Sequence, residues 1–456
     1  MTKVKGMKMH RVILFSLIIL CIVPLTAQAD DDLVGVSGII EKIEIRGSTK
    51  IREKFIRREI TIKVGEKFNL EKAIESKNKI LLNLKYIKRV NLYIEPGSEE
   101  GKLIVIFEIE ETESKSLTLG VGYGDEEKFF GSFQVWYENL LHRGMHLGIK
   151  VEKGKNVDFK SVTIYEPRLF HTTHSFKSEF YSDEHKRTEF PYEDKGKYWI
   201  ERDGYMLELG KRAIFKNINF WLKYRNENVN LSEFKEVSQQ EINSSKKDTD
   251  INSLICHLDF DTRQFQHAQA KYEFTFKDKL EHLDDTQWLN PVNGGRYELF
   301  VEVVNDFLGA DYSFTKYNLN LNQYLKLNND QVLALFTKGG YICGDAPFYE
   351  RFYVGGVDTI RGYKERGITT TAGNKLLVLT TEYRIGLTKF AQGVLFADAG
   401  YSWEKGNRIN LGNMEYGVGT GLRIYHSLIG RININLGYGL GKKDWEIHIG
   451  SANRGE

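Results

Sequence analysis

From Leu117 onward the chain repeats one pattern. Segments of roughly ten residues alternate apolar and polar side chains and are separated by turn residues. Leu147, Ile149 and Val151 alternate with Gly148, Lys150 and Glu152. Leu319 and Leu321 alternate with Asn318, Asn320 and Asn322, and Ile432, Ile434, Leu436 and Tyr438 with Arg431, Asn433, Asn435 and Gly437. Ile218, Phe220, Leu222 and Tyr224 keep the same rhythm, with Trp221 breaking it. A period of two puts successive side chains on opposite faces of a strand, so the zone predicts many antiparallel strands with one apolar face. A soluble β-sandwich alternates as well. Two features favour a barrel in lipid. The second face is polar enough to line a wet lumen, and Tyr, Trp and Phe recur near segment ends, where a membrane girdle requires them. An open sheet cannot span lipid, because its edge N–H and C=O groups would go unsatisfied, so the sheet must close.

Between Leu117 and Ser451 the pattern gives sixteen or seventeen candidate strands. The ambiguity lies in residues 251–290, where both Leu254–Asp261 and Tyr272–Phe276 alternate. Bacterial single-chain barrels use even numbers, so sixteen is expected, with one of these stretches an excursion. Residues 184–197 and 227–250 read as long external loops.

The stretch before this zone is different. Ile40, Ile43 and Ile45 alternate up to Gly47; Lys50 to Ile60 and Leu70 to Leu84 place apolar residues at helical spacing; Val90, Leu92 and Ile94, then Leu103, Val105, Phe107 and Ile109, alternate again around Pro96-Gly97. The order β-α-α-β-β over residues 39–112 predicts one small soluble α+β domain ahead of a barrel over 115–456. Ahead of both, Lys3, Lys5, Lys8 and Arg11 precede an apolar run from Val12 to Val23 and the small-x-small pattern Ala27-Gln28-Ala29. Residues 1–29 thus read as a secretory signal cleaved after Ala29, with an uncleaved anchor as the alternative.

Charge and composition narrow the classes. Of 64 basic side chains the leader holds four, leaving 60 against 62 acidic, so the formal net charge passes from +2 to −2. That balance disfavours a nucleic-acid partner. Hydrophobic residues make up 41% of the chain, too many for disorder given the balanced charge. With 3 cysteines, one of them in the leader, a disulfide scaffold is excluded. Cys256 and Cys343 either pair or stand as isolated thiols, and nothing in their spacing decides. No nucleophile elbow, P-loop, zinc-spaced Cys/His pair or dinucleotide fingerprint appears, so no catalytic, metal or cofactor residue is assigned and the chain is not read as an enzyme. The run Gly120-Val121-Gly122-Tyr123-Gly124 lies in an alternating segment with no helix behind it and reads as the first barrel strand.

The β-α-α-β-β unit resembles a POTRA (polypeptide-transport-associated) domain, with Gly47, Gly65 and Leu84-Lys85-Tyr86 falling where that family places them. The barrel resembles the bacterial surface antigen family, to which the BamA/TamA-like assembly proteins and the two-partner secretion transporters belong. The most specific segment is Arg351-Phe352-Tyr353-Val354-Gly355-Gly356 through Ile360-Arg361-Gly362-Tyr363, which looks like the family's lumen-loop motif. Asn139-Leu140 with Arg143-Gly144, Glu166-Pro167, and Pro291 with Gly294 agree with it. The resemblance implies that this loop folds back into the lumen and that Arg361 meets Glu382 and Asp398 on the wall. On the residues alone, an exposed external loop with Asp398 merely facing the lumen is the favoured reading. The resemblance further implies an outer-membrane protein with its POTRA domain in the periplasm. Its partners would be outer-membrane lipid, unfolded outer-membrane or secreted clients, and periplasmic accessory proteins. The activity implied is assembly and insertion of other barrels, the alternatives being export of a dedicated partner or a structural surface barrel. The single POTRA unit and the short stretch of about ten residues between Ala29 and Ile40 argue against the secretion-transporter branch.

Overall fold

The computed structural model describes residues 38–451 apart from 49–50, 85–86, 112–114, 125, 127, 142–143, 189–196, 216, 236–246, 266–290, 369–371, 389–390 and 427–429. The leader, Tyr272–Phe276 and Arg143 lie outside the described residues.

The N-terminal unit runs β1 (Ile39–Arg46), α1 (Glu53–Arg57), α2 (Leu70–Asn83), β2 (Ile87–Pro96) and β3 (Lys102–Glu111). Its sheet has the order β1-β3-β2, with β1 parallel and β2 antiparallel to the central β3. The apolar stripe of α2, carried by Ala73 and Ile80, buries against Ile43, Val90, Val105, Phe107 and Ile109 from the sheet. Asn69 caps α2 by accepting the backbone N–H of Lys72 at 3.0 Å. The helical spacing over 50–60 yields only the five residues of α1. The chain then leaves the helix, and Thr61 donates its N–H to Ser76 Oγ at 2.8 Å, tying the segment to α2.

The second unit comprises β4 (Lys115–Gly124), β5 (Lys128–Leu140), β6 (Met145–Gly154), β7 (Val157–Glu166), β8 (His174–Thr188), β9 (Lys197–Phe215), β10 (Ile218–Lys235), β11 (Asp248–Asp261) and the two-residue β12 (Gln264–Phe265). It continues through β13 (Pro291–Val304), β14 (Phe314–Lys326), β15 (Gln331–Gly344), β16 (Lys375–Thr388), β17 (Ala391–Trp403), β18 (Glu415–His426), β19 (Gly430–Gly439) and β20 (Asp444–Ser451). These close into an antiparallel barrel of sixteen full strands. Within the ambiguous stretch 251–290, Leu254–Asp261 belongs to β11; β12 pairs with the start of β13, and β11 itself joins β13 directly.

Strand parity sorts the side chains as the alternation predicts. Leu117, Leu119, Val121, Leu222, Leu258, Leu299, Leu319, Leu436 and Ile447 point outward and stay exposed, forming an apolar surface suited to hydrocarbon. No helix among the described residues is long and apolar enough to cross a membrane; crossing is left to the strands. Cys256 and Cys343 are exposed free thiols on the non-adjacent strands β11 and β15, so they do not pair. Trp221, the exception in β10, faces inward. It stacks on His257, 4.7 Å between ring centroids, and His257 stacks in turn on Phe300 at 3.9 Å.

Two expected external loops are shorter than the composition suggests. β8 continues to Thr188, β10 to Lys235, and β11 starts at Asp248 with Asn230 opposite it. The cause is a switch of parity. In the lower part of β10 the even positions are apolar and face lipid, whereas above Glu227 the odd positions Val229 and Leu231 are apolar and face inward. They form a buried cluster with Tyr198, Ile200 and Ile251. The strands here have risen beyond the membrane band, and their apolar side covers what fills the barrel.

Candidate functional site: a lumenal loop and the barrel seam

The segment joining β15 to β16, residues 345–374, does not project outward. Phe352 and Gly373 exchange both backbone hydrogen bonds, at 2.9 and 2.8 Å, drawing its neck into a narrow ladder. Beyond the neck, the Gly355 N–H donates to Thr359 Oγ1 at 2.8 Å and the Gly356 N–H to the Ile360 carbonyl at 3.2 Å, folding a tight turn. Both glycines have positive φ. Ile360 is fully buried against Val354, Tyr363 and Ile368, an apolar plug inside a polar lumen.

Arg361 follows this plug and is 4% exposed. Its Nε and Nη2 reach Asp398 Oδ2 and Oδ1 at 2.8 and 2.7 Å, and its backbone N–H donates to Oδ2 at 3.0 Å. Nη1 reaches Glu382 Oε1 at 2.6 Å, and the guanidinium lies 3.6 Å above the centroid of the Phe396 ring. Burial alone would lower its affinity for its proton; the bonds to Asp398 and Glu382 outweigh that and keep it charged. Glu382 also accepts from Arg384 at 2.9 Å and Arg423 at 3.3 Å. The structure therefore brings Arg361, Glu382 and Asp398 into one buried cluster on β16, β17 and β18.

Gly362 explains how the loop can lie so flat. Its φ is +94°, and a Cβ there would sit 2.5 Å from the Gly439 nitrogen. The wall makes the same concession, since a Cβ on Gly437 would lie 2.5 Å from the Gly362 nitrogen. Next, Tyr363 donates its hydroxyl to Glu415 Oε2 at 2.7 Å and accepts the Gly441 N–H at 2.9 Å.

A second buried cluster was not singled out from the sequence. Glu350, just before the loop motif, reaches Arg202 at 2.8 Å, Lys316 at 3.6 Å and Arg225 at 3.7 Å. Arg202 also binds Glu227 at 2.8 Å, and Arg225 binds Glu302 at 2.9 Å. Beside it Tyr349 shares a 2.7 Å hydrogen bond with Thr249, and Phe348 meets Tyr198 edge-on at 5.3 Å. The loop is thus fixed to β9, β10, β11 and β14 at one end and to β16, β17 and β18 at the other. The only signal in the sequence was an acidic residue placed directly after Phe348-Tyr349.

Where the barrel closes, the pairing is thin. Every residue of β4 has a partner on β5, but between β4 and β20 the described residues contribute one registered pair, Ile449 with Tyr123. Because β4 runs upward and β20 downward, this pair sets the lower end of β20 against the upper end of β4. In that register the β4 edge below Val121 lies opposite positions outside the described residues.

A family model for the Omp85 superfamily domain matches residues 139–449, and one for the surface antigen variable number repeat, a POTRA unit, matches residues 38–112. The chain belongs to the Omp85 superfamily. The outer membrane protein assembly factor BamA of Nitratidesulfovibrio vulgaris is 24% identical over 459 residues, covering 93% of this chain. The chain spans 52% of that relative's length. Among solved structures, BamA from Haemophilus ducreyi lacking POTRA domains 1–3 superposes with a TM-score of 0.65 at 15% identity, covering 91% of this chain and 84% of that one. CdiB from Acinetobacter baumannii gives 0.61 at 16%, covering 91% and 73%. These likenesses show the shared Omp85 fold. With its apolar band and POTRA unit, the Omp85 barrel is an outer-membrane protein whose POTRA sheet sits on the periplasmic side.

The same orientation puts the β5–β6 and β7–β8 turns on the periplasmic side. In the first, Asn139 Oδ1 accepts the Gly144 N–H at 3.0 Å. In the second, Glu166 accepts the Arg168 N–H at 3.0 Å, and Arg168 extends to Glu59 of the POTRA unit, Nε to Oε1 at 2.9 Å and Nη2 to Oε2 at 2.5 Å. Glu59 is 1% exposed, so the pair ties POTRA to barrel in a partly dry setting, where a bidentate Arg–carboxylate bond has geometric force. Arg168→Ala should broaden the distribution of POTRA–barrel distances measured between spin labels on α2 and on β7. An unchanged distribution would show that Arg168 does not orient the unit.

Proposed function

We propose that this chain is an outer-membrane protein assembly and insertion factor. Residues 39–112 receive unfolded outer-membrane clients in the periplasm after the leader 1–29 is removed, and the barrel of 115–456 admits them to the membrane at its seam. The observation that carries the reading is that, among the described residues, β4 and β20 share one registered pair. Among the described residues, each other pair of neighbouring full strands shares a ladder of eight or more registered pairs. An antiparallel strand edge with unpaired N–H and C=O groups is a template for another strand, and in lipid those groups strongly favour a partner. A client strand pairing with the β4 edge satisfies them, and successive strands can follow by the same exchange of hydrogen bonds. No nucleotide or metal is needed for such a step, and the proposed activity is not an enzymatic one.

The lumenal loop supports this reading. Its two charged clusters brace the walls on either side, so the rest of the barrel stays round while the seam parts. Similarity to assembly factors named BamA points the same way, and periplasmic accessory proteins fit the POTRA edge strand β2 by the same edge pairing. Depleting the protein should lower the levels of other outer-membrane barrels. Unchanged levels of every barrel, with loss of one secreted protein instead, would favour export of a dedicated partner.

A further inference from the structure

Two loop residues three positions apart each hold one flank of the seam. Tyr363 binds Gly441, in the upper turn between β19 and β20, together with Glu415 at the top of β18. Arg366 turns the other way. Its Nε lies 3.8 Å from Oε2 of Glu126, in the upper turn between β4 and β5. Glu126 is 3% exposed and also receives Arg187 of β8 at 3.0 Å. The Arg366 guanidinium lies 4.5 Å from the centroid of the Tyr353 ring, and Nη1 is 3.5 Å from the Tyr198 hydroxyl. The backbone between the two residues is constrained. Arg366 has a left-handed φ of 57°, its N–H donates to the Gly355 carbonyl at 3.3 Å, and the Gly367 N–H closes on the Lys364 carbonyl at 2.9 Å. A left-handed conformation in a non-glycine residue is costly and persists where its surroundings require it.

We propose that Tyr363 and Arg366 form a clasp across the upper end of the seam, holding the β19–β20 and β4–β5 turns at one separation. Among the described residues the two hairpins share one registered pair of their own, and the loop adds a second connection on that side. While the clasp is closed, β4 and β20 stay level enough for Ile449 to meet Tyr123. When Arg366 lets go of Glu126, the first hairpin is free to move away from the last. Arg366, Glu126 and Tyr363 are positioning residues; none of them is required to touch a client. The proposal rests on the seam-based reading of function only for its purpose, because the clasp itself is read from seam geometry.

The test uses the full chain in outer membranes, with Cys256→Ala and Cys343→Ala to remove the native thiols and Tyr123→Cys with Ile449→Cys as reporter. Directly opposed strand residues have Cα separations that a disulfide accepts. The rate of disulfide formation under a mild oxidant reports how often the seam is closed. Arg366→Met and Glu126→Gln are each expected to slow it by about fivefold or more, the scale of a coupling between contacting residues, and Tyr363→Phe to slow it as well. The double variant Arg366→Met with Glu126→Gln should be no slower than either single. A cross-linking rate equal to that of the parent in Arg366→Met and Glu126→Gln, both running as folded barrels on unheated gels, overturns the clasp. If Arg366→Met does not fold, Glu126→Gln and Arg366→Lys decide the matter alone. Client insertion measured on the same variants separates the two ideas. Slower cross-linking with unaltered insertion upholds the clasp and counts against insertion at the seam, whereas unaltered cross-linking overturns the clasp whatever insertion does.

Discussion

Replacing Arg361 with Ala is expected to destabilise the folded barrel by about 3–5 kcal/mol, the cost of breaking a buried ion pair from one side. All three hydrogen bonds described for Asp398 come from Arg361, and Asp398 is 2% exposed. Removing the guanidinium takes away the two charge-assisted bonds and leaves that buried carboxylate with the backbone N–H of residue 361. Glu382 is better protected, because Arg384 and Arg423 still reach it. Asp398→Ala should therefore resemble Arg361→Ala, with Glu382→Gln milder than both. Arg361→Lys should not restore the wild type, since a single ammonium cannot bridge both carboxylates and lie flat on Phe396. The measurement is the temperature at which the compact, unheated gel form converts to the unfolded one. Identical midpoints for wild type, Arg361→Ala and Asp398→Ala would remove the cluster from any account of barrel stability.

Glu350→Ala should come next, at about 3 kcal/mol by the same reasoning. It would leave Arg202, Arg225 and Lys316 gathered around Glu227 and Glu302 with one negative charge fewer. The effect should carry a pH signature. Burial alone would raise the Glu350 carboxyl pKa, but Arg225, Arg202 and Lys316 hold it well below the usual carboxylate range. A carboxyl whose folded value is depressed adds stability that is fully present above its unfolded value, about 4.3, and is lost as pH falls through the folded value. Between pH 8 and about 5 the gap in midpoint between wild type and Glu350→Gln should therefore be constant, and it should narrow as the medium becomes more acidic than about pH 4. A gap that grows on acidification would contradict the assigned role.

These two residues also show how far the sequence could be read. The barrel was legible because alternation with period two recurs in segment after segment of about ten residues, and the β-α-α-β-β unit because its periods change from two to 3.6 and back. Arg361 was legible only through the run that surrounds it. Nothing in its own spacing to Glu382 or Asp398 marks a contact across a lumen, and on the residues alone an exposed loop is the better reading. Glu350 left almost no trace, since its partners Arg202 and Arg225 lie far earlier in the chain and meet it only when the barrel closes. The upper parts of β10 and β11 were misread for a physical reason. Above the membrane the outward face no longer needs to be apolar, so the pattern inverts at Val229 and Leu231 and looks like its loss. Helix α1 is shorter than its pattern because four apolar residues at helical spacing (Ile51, Phe55, Ile56 and Ile60) fix a face but not a length.

The proposed activity requires that clients enter the membrane at the seam between β4 and β20. The most direct test locks it. The purified chain carrying Cys256→Ala, Cys343→Ala, Tyr123→Cys and Ile449→Cys is placed in proteoliposomes, oxidised, and supplied with an unfolded outer-membrane barrel whose conversion to the folded, heat-modifiable form is followed with time. With the seam locked, client folding should fall to the rate seen in empty liposomes and return when a reductant opens the disulfide. Folding by the oxidised, locked chain at the rate of its reduced form would contradict insertion at the seam.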